Sequence, residues 1–216
     1  MGLDLIGKTV VDRWKEAIAD LSGCDFAAQI AAINEIKSAL HAVSPMRDEP
    51  VDCVLWVPIE QVEANDYNPN VVAPPEMKLL EHSISEDGYT QPVVTWRRDD
   101  NIREVVDGFH RERIARESKS VVARVRGYLP VTTINDGRSD RSDRIASTIR
   151  HNRARGKHRV AAMSEIVQEL AKRNWSDQRI AKELGMEPDE VLRLKQITGL
   201  AELFSNREFS EAWEVE

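Results

Sequence analysis

The segment DGFHRER, residues 107–113, marks the point where a strand is predicted to turn into a helix. An apolar run ends at Val106, Gly108 permits a tight turn, and a helical pattern covers 109–117. The first N–H groups of a helix lack partners within it, and that end of the helix dipole is positive. Three side chains there add hydrogen-bond donors: His110, Arg111 and Arg113. The segment therefore predicts a phosphate site, with a helix start whose arginines simply face water as the alternative.

Two further segments share this character, because each is polar or contains glycine and each follows the predicted end of an element. They are Gly88-Tyr89-Thr90-Gln91-Pro92 and His151-Asn152-Arg153-Ala154-Arg155. Unpaired backbone amides at such ends can join side chains in holding an anion. The three segments together define the candidate site.

In this order and spacing, the three segments resemble the nucleotide-contacting motifs of ParB-type partition proteins. Those motifs run roughly G-x-x-Q-P, then G-E-R-R-x-R-A, then E-N-x-Q-R, and the first is present here in full. The second is represented by Gly108, Arg111 and Arg113, and the third by Asn152 and Arg155. The resemblance covers about residues 55–200, and small ParB-like regulators of prophage and plasmid origin, including the immunoglobulin-binding-regulator type, are nearest in size and motif form.

The resemblance implies a ParB/sulfiredoxin-like α+β domain that binds CTP or ATP, with Mg²⁺, as a conformational switch for a DNA-associated regulator. It implies contacts to the nucleotide from all three segments. The expected nucleotide-binding residues are Gly88, Thr90, Gln91, Gly108, His110, Arg111, Arg113, Asn152, Arg153 and Arg155.

The chain departs from the ParB pattern at the second and third motifs. Phe109-His110 replaces Glu-Arg, His151 replaces an acidic residue, and Ala154 replaces Gln. The form D-G-x-H-R is closer to that of related free-serine kinases, whereas sulfiredoxin activity is excluded because Phe109 stands where its reactive cysteine would be. A phosphotransferase or NTPase using the same pocket is therefore the alternative function.

Asp107 and His110 are the catalytic candidates for that alternative. A carboxylate can hold Mg²⁺ or accept a hydroxyl proton, and an imidazole can neutralise charge on a transferred group. The competing roles are a helix N-cap for Asp107 and a simple phosphate ligand for His110.

The chain outside these motifs predicts three parts. Residues 1–50 form a helical arm and linker, with helices at 8–21 and 26–43 that suit packing or dimerisation. Residues 51–137 form the α+β domain, in which strands alternate with helices. The predicted strands are 54–57, 92–96, 102–106, 121–125 and 129–134, and the predicted helices are 75–85 and 109–117. Residues 138–216 form a basic helix, 141–155, followed by a helix-turn-helix domain.

The helix-turn-helix is predicted from spacing over residues 177–195. Ala181 lets two helices cross, Gly185 makes the turn, and Val191 is the buried anchor of the second helix. DNA contacts are expected from four cations: Arg179, Lys182, Arg193 and Lys195. The second helix begins Glu187-Pro188-Asp189-Glu190, however, and these carboxylates oppose docking on phosphates.

Composition restricts the remaining possibilities. The 216-residue chain carries 30 Lys and Arg against 37 Asp and Glu, a formal net charge of −7. Residues 138–159 nevertheless hold eight cations and two anions, which indicates either a phosphate-bearing partner or a solvated helix face. Two cysteines and no Cys/His cluster predict a cytoplasmic protein without a structural metal, and no apolar run is long enough to span a membrane. A homodimer or a protein partner is expected to use the terminal helices.

Overall fold

The computed structural model describes residues 4–65, 74–134, 141–153 and 160–205. Its first part is helical: α1 spans Leu5–Ala19, a 3₁₀ turn spans Asp20–Gly23, and α2 spans Phe26–Val43. The predicted pair of helices is therefore present. The side chain of Asp25 accepts a hydrogen bond from the Ala28 N–H at 3.0 Å, which caps α2 as its residue type suggests.

Helix α1 makes little contact with the rest of the protein. Its contacts are mainly with the 3₁₀ turn that follows it. None of its described side chains is buried, and its apolar residues are exposed to solvent: Ile6, Val10, Trp14 and Ile18. A helix of this length is marginally stable in water unless its apolar face is covered.

The α+β unit follows, and its described residues form five strands in one sheet and three α-helices. Its elements are β1 Leu55–Pro58, β2 Val62–Glu63, α3 Pro74–Asp87, β3 Val93–Arg97, β4 Arg103–Asp107, α4 Phe109–Glu117, α5 Lys119–Val125 and β5 Tyr128–Thr133. The strand order is β1-β5-β3-β4-β2. Strands β3 and β4 form an antiparallel hairpin, whereas β2 lies parallel to β4.

One predicted strand is wrong. Residues 121–125 belong to helix α5, in which Val121 and Val125 are both buried. Their four-residue spacing places them on one helical face, where they join a cluster with Ile84 and Ile114. Packing on α3 and α4 therefore overrides the strand preference of the valines.

The C-terminal part is entirely helical in the ranges described. It contains α6 Arg141–Arg153, α7 Val160–Lys172, α8 Asp177–Leu184 and α9 Pro188–Ser205. Ser176 caps α8 by accepting a hydrogen bond from the Arg179 N–H, and Gly185 ends it with φ +65°. Ala181 and Val191 are buried in the shared core, so the predicted helix-turn-helix is confirmed.

Helix α6 connects the two units. Its buried Ile145 and Ile149 belong to the core of the C-terminal helices. On the sheet side, the Arg144 guanidinium carbon lies 4.3 Å from the centre of the Trp96 ring, and Arg144 Nε lies 3.4 Å from Glu104 Oε1. The predicted class, an α+β domain with an all-α helix-turn-helix domain, is therefore confirmed. Across the described ranges, no helix is long and apolar enough to cross a membrane.

Candidate functional site

The β-hairpin brings two of the three predicted segments together. Val94, near the start of β3, is opposite Asp107, the last residue of β4. The segment before β3 and the segment after β4 therefore meet at one edge of the sheet. Arg111 Nη1 donates to Gln91 Oε1 at 2.5 Å, and Arg111 Nη2 donates to Asp107 Oδ2 at 3.2 Å. We call this group of Gln91, Asp107, Gly108 and Arg111 the hairpin-edge site.

Two features of the backbone and its surroundings favour glycine at position 108. Its φ of +95° lies in the left-handed region, which residues with a side chain adopt at a cost. A Cβ there would also lie 2.8 Å from Arg111 Nη2, closer than non-bonded atoms allow. Glycine thus lets the guanidinium pass over the turn at the start of α4.

The suggested N-cap role of Asp107 is wrong. Gly108 occupies the N-cap position of α4 and has no side chain to cap it. Asp107 instead belongs to β4 and forms the ion pair with Arg111, with 4% and 13% of these side chains exposed. The pair fixes the guanidinium beside the N-terminus of the helix, where backbone N–H groups and the helix dipole favour an anion.

Tyr89 connects the segment before β3 to α4. Its hydroxyl donates to the backbone carbonyl oxygen of Arg111 at 2.9 Å. Burial raises the pKa of this hydroxyl to about 12, so it stays protonated and remains a donor at neutral pH. The sequence did not identify this contact, because aromatic residues beside a motif usually indicate packing alone. Gly88 ends α3 with φ +78°, and the Thr90 side chain is exposed.

Buried polar atoms without partners lie next to the hairpin-edge site. Both ring nitrogens of His110 are buried and have no hydrogen-bond partner among the described residues. Burial, and secondarily the charge of Arg113, lowers the pKa of His110, which favours the neutral imidazole.

Asn65 shows the same feature and was missed by the sequence analysis. Its Nδ2 donates to the Val105 carbonyl oxygen at 2.6 Å, while its buried Oδ1 has no partner in the described part of the chain. Asn65 follows the carboxyl end of β2, and His110 follows the carboxyl end of β4. Since β2 and β4 are parallel, both residues lie at the same edge of the sheet. Leaving a buried polar group unpaired costs about 1–3 kcal/mol, so this edge is suited to a polar ligand.

The remaining predicted residues are not all brought to this edge. Arg113 is exposed and its Nε donates to Glu117 Oε1 at 2.9 Å, one turn along α4. Asn152 and Arg153 lie in α6, but their side chains are outside the described set, as is Arg155 entirely. Among the described residues, there is no group of three or more His, Cys, Asp or Glu that could hold a metal ion.

The basic segment is largely matched by carboxylates from other elements. Arg141 Nε lies 3.0 Å from Glu169 Oε1, Arg144 pairs with Glu104, and Arg150 pairs with Glu183. These acidic partners are distant in the sequence, so counting charges within 138–159 did not find them. For these three arginines, the charge run therefore gives no argument for a phosphate-bearing partner.

The four candidate DNA-binding cations fall into two classes. Arg179 stacks on the Trp175 ring at 3.7 Å and lies 3.3 Å from Asp143, and Lys195 pairs with Asp177. Lys182 and Arg193 are exposed and form no ion pair with any described residue. Only this second class presents charge that is uncompensated within the described structure.

Comparison with protein families accounts for both units. The model of the ParB N-terminal domain matches residues 44–135, and that of the IbrB-like C-terminal HTH domain matches residues 158–206. The chain belongs to the ParB-like proteins. The resemblance inferred from three short motifs is therefore confirmed at the level of the family.

This ParB-like protein is 60% identical over 187 residues to the uncharacterized protein YbdM of Escherichia coli strain K12. The match covers 87% of this chain and 88% of that protein.

Solved structures are more distant. ParB from Caulobacter crescentus complexed to the centromeric parS site is 18% identical, with 69% of this chain and 75% of that chain covered and a TM-score of 0.46. The same protein complexed with CTP-gamma-S is 19% identical, with 70% and 83% covered and a TM-score of 0.38. A Pnob8-like ParB-N domain is 14% identical, with 71% and 73% covered and a TM-score of 0.48.

Proposed function

We propose that this ParB-like protein binds a nucleoside triphosphate, CTP or ATP with Mg²⁺, and that the bound nucleotide controls a DNA-associated helix-turn-helix domain. The observation that carries the proposal is Arg111, held by Gln91 and Asp107 over Gly108 at the start of α4. A guanidinium forks onto phosphate oxygens, and a helix N-terminus adds backbone donors. Because Arg111 is held before any ligand arrives, little side-chain entropy is lost on binding.

The unpaired polar atoms support the same ligand. A neutral His110 imidazole can donate one hydrogen bond to a phosphate oxygen, and Asn65 Oδ1 can accept one from a ribose hydroxyl or a metal-bound water. Asp107 is the carboxylate of the hairpin-edge site and would be the group nearest to Mg²⁺.

Helix α6 is the element through which the nucleotide would act. From Arg144, which contacts β4, to Asn152 is eight residues, or about 12 Å of helix. From Glu104 to Asp107 is three residues, or about 10 Å of strand. A helix running along β4 would therefore bring Asn152 to the hairpin-edge site. Binding there would fix α6, whose Ile145 and Ile149 form part of the helix-turn-helix core.

The ligands to test first follow from the family. The ParB protein of Caulobacter crescentus is described in complexes with CTP-gamma-S and with parS DNA. CTP and duplex DNA are therefore the first probes for this chain, with ATP, ADP and GTP as comparisons.

Calorimetric titration of the full chain with CTP, ATP, ADP and GTP in the presence of Mg²⁺ tests the nucleotide site. We expect one nucleotide to bind and Arg111→Ala to weaken it about 10- to 150-fold, since hydrogen bonds to charged groups contribute about 1.5–3 kcal/mol. Arg98→Ala is the matched control, because Arg98 lies at the other end of the hairpin and pairs with Glu63 and Asp100. Equal affinity in the two variants would place the nucleotide elsewhere.

DNA binding is tested with a mixed-sequence duplex at low salt, with and without CTP. Replacing Lys182 and Arg193 together by alanine should weaken binding and reduce the slope of log affinity against log salt by about two. Arg98→Ala with Lys119→Ala removes the same charge from the α+β unit and should leave that slope unchanged. A wild-type protein that binds no DNA at low salt, with or without nucleotide, contradicts the regulatory function.

The phosphotransferase or NTPase alternative is not favoured. Its candidate base, Asp107, is buried in an ion pair with Arg111, and the matching families are ParB and helix-turn-helix domains. Release of phosphate or AMP that is lost in His110→Ala would reverse this preference.

A further inference from the structure

A cavity lies next to Tyr89, where α2 covers the α+β unit. It has a volume of about 380 Å³, within the range of small-molecule pockets. Its wall is mainly aromatic and aliphatic and includes Phe26, Ile30, Trp56, Tyr89, Arg124 and Tyr128. None of these residues belongs to the hairpin-edge site.

Two aromatic pairs form the wall. The rings of Phe26 and Tyr128 lie 5.5 Å apart at 80°, and those of Trp56 and Tyr89 lie 6.5 Å apart at 89°. Both pairs are edge-to-face, which is an arrangement that aromatic rings prefer, so the four rings hold one another in place. A flat aromatic molecule that enters the cavity gains contact area and favourable ring geometry, and the rings of the wall do not have to rearrange.

Arg124 gives the cavity a fixed positive charge. Its Nη2 donates to the Ile84 carbonyl oxygen at 2.6 Å and its Nη1 to the Ser85 carbonyl oxygen at 2.8 Å, near the end of α3. These bonds hold the guanidinium without neutralising it, and no described carboxylate forms an ion pair with Arg124. An acidic group on a ligand would supply the missing charge.

We infer that this cavity binds a small planar aromatic acid. The occupant would also affect the hairpin-edge site, because Tyr89 lines the cavity while its hydroxyl holds the Arg111 carbonyl oxygen. This second statement rests on the proposed nucleotide function, whereas the binding of the acid does not.

Calorimetric titration of the full chain with 1-naphthoate tests whether the cavity binds an aromatic acid. We expect saturable binding at one site, and at least tenfold weaker binding of the neutral naphthalene-1-methanol. Arg124→Met should abolish the preference for the acid while keeping the apolar wall. Ile30→Trp should fill the cavity and abolish binding of both probes, with its unfolding curve checked against wild type. An absence of saturable binding, or equal acid preference in wild type and Arg124→Met, overturns the inference.

Titration with CTP in the presence of saturating 1-naphthoate tests the coupling. In wild type, saturating naphthoate should change the Kd for CTP at least threefold. In Tyr89→Phe, which keeps the ring but loses the hydroxyl, naphthoate should leave the Kd for CTP unchanged. If naphthoate binds and none of CTP, ATP, ADP and GTP does, the proposed function fails and the cavity site stands. If CTP binds and naphthoate does not, the cavity inference fails alone. Independent binding of both overturns the coupling.

Discussion

Gly108 and Gly185 both adopt left-handed conformations at helix ends, yet their surroundings differ. At Gly185, φ is +65° and an added Cβ would meet no described atom within 4 Å. At Gly108, φ is +95° and an added Cβ would lie 2.8 Å from the Arg111 guanidinium. The first glycine permits a turn between helices, and the second also makes room for a charged group. The neighbouring atom, rather than the residue type, therefore distinguishes the structural turn at Gly185 from the proposed binding site at Gly108.

Gly108→Ala gives the largest expected effect on this comparison. The added methyl group forces the Arg111 guanidinium to shift from its position against Gln91 and Asp107, so CTP affinity should fall about 10- to 100-fold by calorimetry. The free energy of unfolding should decrease by only about 1–2 kcal/mol, the cost of a left-handed alanine. Unchanged CTP affinity in this variant would contradict the claim that Gly108, unlike Gly185, makes room for a group that binds nucleotide.

Gly185→Ala should have a smaller effect, limited to stability. The backbone cost is again about 1–2 kcal/mol in the free energy of unfolding, measured in urea, and CTP affinity should not change. Asparagine sharpens the contrast, since it tolerates the left-handed region. Gly185→Asn should recover much of the stability that Gly185→Ala loses. Gly108→Asn should not recover the CTP affinity that Gly108→Ala loses, because its side chain still meets Arg111. Recovery at both positions would contradict the steric argument.

The smallest expected effect is a pH dependence of the free energy of unfolding, which arises from His110 beside the Gly108 turn. Burial lowers the pKa of His110 below its ordinary value of 6.5, so the folded state disfavours the protonated imidazole. This contribution to stability is fully present above pH 6.5 and is lost as pH falls toward the folded-state pKa. Urea midpoints should therefore decrease less between pH 7.5 and 5.5 in His110→Gln than in wild type. An identical decrease in both proteins would exclude His110 as the source.

The two turns were also predictable to different extents. The helix-turn-helix follows from local signals, because Ser176, Gly185 and Val191 act within about twenty residues through capping, a turn and one shared core. The residues of the hairpin-edge site were predicted as well, but not their contacts. The bond from Tyr89 to the Arg111 carbonyl and the bond from Asn65 to the Val105 carbonyl depend on strand register, which the sequence does not display.

Long-range packing explains the predictions that were wrong or left open elsewhere. Helix α5 was predicted as a strand because its valines favour strands locally, while their burial against α3 and α4 decides the outcome. The sequence left the role of the basic segment open, because the acidic partners of Arg141, Arg144 and Arg150 are Glu169, Glu104 and Glu183 on other elements. Both cases concern contacts between residues far apart in the chain.

The hairpin joining Gln91 to Arg111 has a consequence for folding. The two sides of the hairpin-edge site are separated by 20 residues, and the connection between them is a single antiparallel pair of strands. Closing this loop costs less conformational entropy than closing the longer loops that pair β1 with β5 and β2 with β4, and local contacts of this kind form quickly. Arg111 can therefore reach Gln91 as soon as β3 and β4 pair, before the distant edges of the sheet are in place.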